Sequence, residues 1–122
     1  MNILKACAIP LLTLSACAPA VTITSRTTGQ LGSGTLENIE LGNSGRMTIA
    51  LGNEQFTGTW LAVRDSGILG IPANGGIGNA VLHSDQGSRM TCEFRYSMGT
   101  YTALGTCLKN ESETFDMQAT LI

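Results

Sequence analysis

The chain has little charge, few aromatics and no long apolar run. Charged residues make up 13% of its 122 residues, about half the usual share. Its seven Lys and Arg residues do not cluster, which excludes the electrostatic footprint of a nucleic-acid binder and argues against an anionic lipid surface as partner. Histidine occurs once, far from paired cysteines, so no tetrahedral zinc set can be read. The nine carboxylates lack the spacing of a calcium loop, and no two are placed as an acid and base pair. No stretch approaches the roughly 20 apolar residues of a spanning helix. Apolar residues never recur with the helical period over a useful length. What the chain does have is glycine, 15 residues of it, with many threonines and serines. That mixture suits short strands joined by tight turns.

The N-terminus has a different character. Residues 1–5 carry one positive charge, on Lys5, and residues 6–14 are apolar. A stretch of this length is too short to span a bilayer but fits the core of a signal peptide, about 7–15 residues. Leu14-Ser15-Ala16-Cys17 follows it. The order of charge, apolar run, small residues and cysteine resembles the lipobox of bacterial lipoproteins. The resemblance implies cleavage before Cys17 and acylation of its thiol. It implies an outer-membrane address facing the periplasm, since Ala18 replaces the aspartate that retains such proteins at the inner membrane. Several acyl chains anchor a protein stably where one does not. An ordinary secretory signal is the other reading, because Ala16-Cys17-Ala18 and Ala18-Pro19-Ala20 both have the small-x-small form of a cleavage site.

Removing residues 1–16 takes away Lys5 and Cys7 and leaves 106 residues, enough for one domain. Six basic residues then face nine acidic ones, a net charge of about −3. With Cys17 acylated, Cys92 and Cys107 remain, and an even pair in an oxidising compartment reads as one disulfide.

Alternation of apolar and polar residues marks strands in 21–24, 46–51, 56–63, 90–96, 101–108 and 114–122. A strand is also expected over 35–41 and a short one over 80–83. Residues 27–34 and 65–79, rich in glycine, read as loops. Cys92 and Cys107 fall on the apolar faces of two adjacent strands, where opposed antiparallel positions provide the approach a disulfide needs, about 5.5 Å between Cα atoms. The hairpins 46–61 and 89–108 also look alike, with Ile49 matching Cys92 and Trp60 matching Cys107. Internal duplication and chance likeness among Thr/Gly-rich strands both account for this.

Few constellations suggest chemistry. His83-Ser84-Asp85 holds the three residue types of a hydrolase triad, but neighbours in a strand point to opposite faces. The glycine-rich segment 74–79 lacks the Gly-Lys-Ser/Thr ending of a phosphate loop. Asn110-Glu111-Ser112 fits a glycosylation sequon that is idle in a bacterial lipoprotein. Tyr101, beside a turn, is a candidate binding anchor.

The expectation is an all-β domain, a small antiparallel meander or barrel of about seven strands with one disulfide. Residues 1–16 are expected as signal peptide, 17–34 as lipidated N-terminus and tether, and 35–122 as the single domain. The expected role is a non-enzymatic binding or structural module without a cofactor, anchored through Cys17, with an envelope protein or wall component as partner. Small β-barrel lipoproteins with one disulfide include lysozyme inhibitors, and the chain is similar to these in size, anchor and disulfide. Their inhibitory loop carries Ser-Gly-x-x-Tyr. Here Ser97-Met98-Gly99-Thr100-Tyr101 shifts the glycine by one, and the companion Thr-Lys-Gly loop is missing.

Overall fold

The computed structural model describes residues 20–37, 43–65 and 74–121. Eight strands follow one another among them: β1 (Ala20–Ser25), β2 (Leu31–Leu36), β3 (Ser44–Leu51), β4 (Glu54–Arg64), β5 (Gly75–Ser84), β6 (Arg89–Ser97), β7 (Thr102–Lys109) and β8 (Glu113–Thr120). Each pairs antiparallel with the next, and β8 returns to pair with β1. The sheet closes on itself, so none of the eight described strands is left with an unpaired edge open to association.

The period-2 pattern decides which side faces in. On β8, Phe115, Met117 and Ala119 are buried while Asp116, Gln118 and Thr120 face solvent. The same alternation puts Val21, Ile23, Ile49, Phe56, Trp60 and Phe94 inside. Eight strands enclose just enough room for side chains to fill, and each large one fully buried contributes roughly 1.5–3 kcal/mol. Polar side chains dominate the outside of β1 and β8, where a lipid-facing wall would need apolar ones. Trp60 satisfies its buried indole N–H by donating to the Glu37 carbonyl oxygen at 2.9 Å.

Three segments depart from the sequence reading. The barrel begins at Ala20, well before residue 35, so β1 and β2 are integral walls. Strand β2 covers Leu31–Leu36, part of the supposed tether, and β5 starts at Gly75, inside the supposed loop. The reason is steric. At Gly34 an added Cβ would run into the backbone of Thr48, and at Gly76 into that of Val63 and Arg64. Glycine marks close approach between neighbouring strands at these positions, not a loop. Tyr101, read from the sequence as the first residue of strand 101–108, sits instead in the turn before β7. Its φ is 56°, in the left-handed region, and its side chain is exposed.

Segments 46–61 and 89–108 both form hairpins, β3–β4 and β6–β7. The clearer internal correspondence, however, pairs β1–β4 with β5–β8. Ser25 and Ser84 end β1 and β5, 59 positions apart, and Glu54 and Glu113 begin β4 and β8, also 59 apart. Each glutamate is followed two residues later by a buried phenylalanine, Phe56 or Phe115. Met47 opposes Gly58 across β3–β4, and Gly105 opposes Met117 across β7–β8, so the large and small partners exchange places. In this arrangement Ile49 corresponds to Cys107, which replaces the match with Cys92 read from the sequence.

Alternating strand direction sorts the connections between two ends. The segments 26–30, 52–53, 85–88 and 110–112 lie at one end, here the turn end. The chain enters at the other, with Ala20, Arg64, Gly75, Thr102 and Thr120.

Candidate functional site

Three places gather the residues that chemistry would draw on: the disulfide, the turn end and the entry end.

Cys92 on β6 and Cys107 on β7 are register partners, and their sulfurs are bonded. The Cα atoms are 4.0 Å apart, closer than the spacing expected from the sequence. Both residues are buried. The bond therefore staples the wall from inside and offers nothing to solvent. Cys17 lies outside the described residues.

At the turn end a buried carboxylate is held by hydroxyls. Ser84 Oγ donates to Glu54 Oε2 at 2.6 Å, and Lys109 Nζ lies 3.4 Å from Oε1. The Ser84 hydroxyl holds the Glu54 carboxyl below its ordinary range, with Ser88 and Lys109 acting in the same direction against the cost of burial. The Ser84 oxygen also accepts from the backbone N–H of Gln86 and Ser88. Across the barrel Ser25 repeats the device. Its hydroxyl donates to Glu113 at 2.8 Å and accepts from the N–H of Thr27 and Thr28. Each serine thus closes its own turn and ties it to the first residue of a neighbouring strand.

These ties decide the fate of the triad residues. Ser84 spends its proton on Glu54, His83 is exposed on the outer wall opposite Thr57 and Arg89, and Asp85 is exposed in the turn. The three do not converge. Among the described residues no group of three or more His, Cys, Asp or Glu side chains is placed to hold a metal. An open depression of about 350 Å³ is lined by Arg89, Thr91, Leu108, Asn110 and Glu111. Another, of about 250 Å³, lies over β1, β7 and β8 beside Thr24, Leu104 and Asp116.

No protein-family model matches the chain, and no curated protein matches it. The functional reading therefore rests on the residues themselves.

Two exposed carboxylates serve as surface ties. Asp116 accepts from Arg26 at 2.7 Å, which holds its carboxyl below the ordinary range, and Asp65 accepts from Arg95 at 2.9 Å. Pairs this exposed contribute little to stability. Glu40 and residues 66–73 lie outside the described residues. Sequence reasoning missed the paired Ser–Glu ties, although Glu-x-Phe recurring after 59 positions signals them.

Proposed function

We propose that the chain is a lipoprotein of a Gram-negative envelope, acylated at Cys17 and held at the outer membrane facing the periplasm. Its barrel is a non-enzymatic binding or structural module. One observation carries the reading: the eight described strands, which close the barrel among themselves, all lie at or beyond Ala20, so cleavage before Cys17 leaves that barrel whole. Only two residues, Ala18 and Pro19, then separate the acylated cysteine from the first strand. The apolar interior and the Ser–Glu ties favour a rigid module over an enzyme, because the buried polar groups Ser25 and Glu54 are engaged in holding turns. An envelope protein or wall component remains the proposed partner.

A Cys17→Ala chain expressed in a Gram-negative host tests this. Loss of acyl mass, with release from the outer-membrane fraction, is expected. Acylation and outer-membrane recovery unchanged by the substitution would overturn the reading.

A second reading, inhibition of a lysozyme-like hydrolase, is favoured by the exposed turn that carries Tyr101 between β6 and β7. Added protein that leaves the rate of lysozyme-driven lysis unchanged would end it.

A further inference from the structure

We propose that the entry end of the barrel rests on the lipid surface that holds the acyl chains, through an exposed apolar band of Leu61, Val63, Ile77, Tyr101 and Leu104. The inference rests on the lipoprotein reading and adds an orientation to it.

Chain length supplies the first argument. The three Cα–Cα steps from Cys17 to Ala20 reach at most about 10 Å, so a bilayer holding acylated Cys17 lies close to Ala20. Ala20 opposes Thr120, and Thr120 opposes Thr102 at the foot of β7. Leu121 N–H donates to the Tyr101 carbonyl oxygen at 2.8 Å, which fixes the Tyr101 turn beside the point of entry.

The distribution of apolar surface supplies the second. Val63 is 63% exposed, Leu104 61%, Leu61 52%, Ile77 51% and Tyr101 42%. All five lie toward the entry end of their strands or in its turn. Register sets Val63 against Ile77, Ile77 against Arg95 and Arg95 against Leu104, so the band runs laterally across β4 to β7. Arg95, within the row, has its charge paired with Asp65 at 2.9 Å, and its aliphatic stem extends the apolar surface. At the surface of the turn end stand Arg26, Asp85, Arg89 and Glu111, with Leu31, 69% exposed, set apart from the band, while Arg46, Arg64 and Asp65 add charge around the entry end. Apolar side chains with a tyrosine beside them suit the boundary between headgroups and acyl chains. A soluble partner would have to compete for this end with the membrane that the anchor already brings to it.

The test uses the acylated full chain bound to vesicles of phosphatidylethanolamine with a minority of phosphatidylglycerol. Val63→Cys, Leu104→Cys and Leu108→Cys are each labelled with a nitroxide; the remaining cysteines of the mature chain are acylated or bonded. On binding, the labels at 63 and 104 are expected to show a severalfold rise in accessibility to oxygen relative to a water-soluble nickel relaxant. The label at 108, near the turn end, should not change. An acylated, vesicle-bound chain whose labels at 63 and 104 stay as aqueous as that at 108 overturns the orientation alone and leaves the band to a protein partner. A chain without acyl groups that fails to float with the vesicles overturns the lipoprotein reading, and the orientation with it.

Discussion

Ser84 donates a hydroxyl hydrogen bond to the Glu54 carboxylate at 2.6 Å, and the pair joins the β5–β6 turn to the first residue of β4. The carboxylate is buried, charged and held below its ordinary pKa. Because the folded value lies below the unfolded one, the tie stabilises fully above the unfolded pKa, near 4.5, and is lost as pH falls through the folded value. Asp116, held down by Arg26, loses charge in the same direction.

Acid titration of stability checks this. Glu54→Gln should cost about 1–3 kcal/mol at neutral pH, as removal of a buried charged hydrogen-bond partner does. It should also flatten the fall in stability below pH 4.5. Urea midpoints measured from pH 7 to pH 3 that run parallel for wild type and variant would contradict the role of Glu54. In a double-mutant cycle with Ser84→Ala the two changes should be strongly non-additive.

Removing the staple is a separate matter. The Cys92–Cys107 bond closes a loop of 15 positions, worth roughly 3 kcal/mol in the chain-entropy model. A Cys92→Ala, Cys107→Ala chain should melt lower by on the order of 15 °C, since a domain of this size shifts several degrees per kcal/mol. Reductant should then cease to affect the midpoint. A wild-type melt that reductant leaves unchanged would contradict the staple.

Much of the fold was legible because its strands alternate cleanly: 46–51, 56–63 and 90–96 read as strands and are strands. The cysteine pair was legible because both residues fall on the inward face. The strand segments that went unread, residues 31–34 of β2 and the first half of β5, carry glycine where neighbouring backbones approach, and glycine on its own looks like a turn. The Ser–Glu ties stayed hidden for a different reason. Ser25 and Glu113 lie 88 positions apart and meet only because β8 returns to β1. The entry-end band is likewise a product of register, which brings Val63, Ile77 and Leu104 into one row from three separate strands.

Gly34 tests the close-approach argument. An alanine there would drive its Cβ into the Thr48 carbonyl, backbone that cannot swing aside like a side chain. Gly34→Ala should destabilise by about 2 kcal/mol or more, measured by thermal or urea unfolding. A neutral result would mean that β2 and β3 are not packed this closely.

The turn before β8 offers the opposite change. Ser112 N–H donates to the Lys109 carbonyl oxygen at 3.1 Å, with Asn110 at φ 51° and Glu111 at φ 61° between them. Two left-handed residues make this a type I′ turn, which favours Asn-Gly. Glutamate pays a steric penalty at the second position, and its 4.0 Å pairing with exposed Arg89 returns little. Glu111→Gly should therefore stabilise by about 0.5–1 kcal/mol. A loss of stability would show the turn to be of another type.

The most direct measurement is the intact mass of the protein from the membrane fraction of a Gram-negative host, before and after reduction. The expected result is the mass of residues 17–122 plus acyl groups, gaining two hydrogens on reduction for the Cys92–Cys107 bond. An unacylated chain starting near Pro19 or Val21 would contradict the anchor and, with it, the account of a barrel held at the membrane.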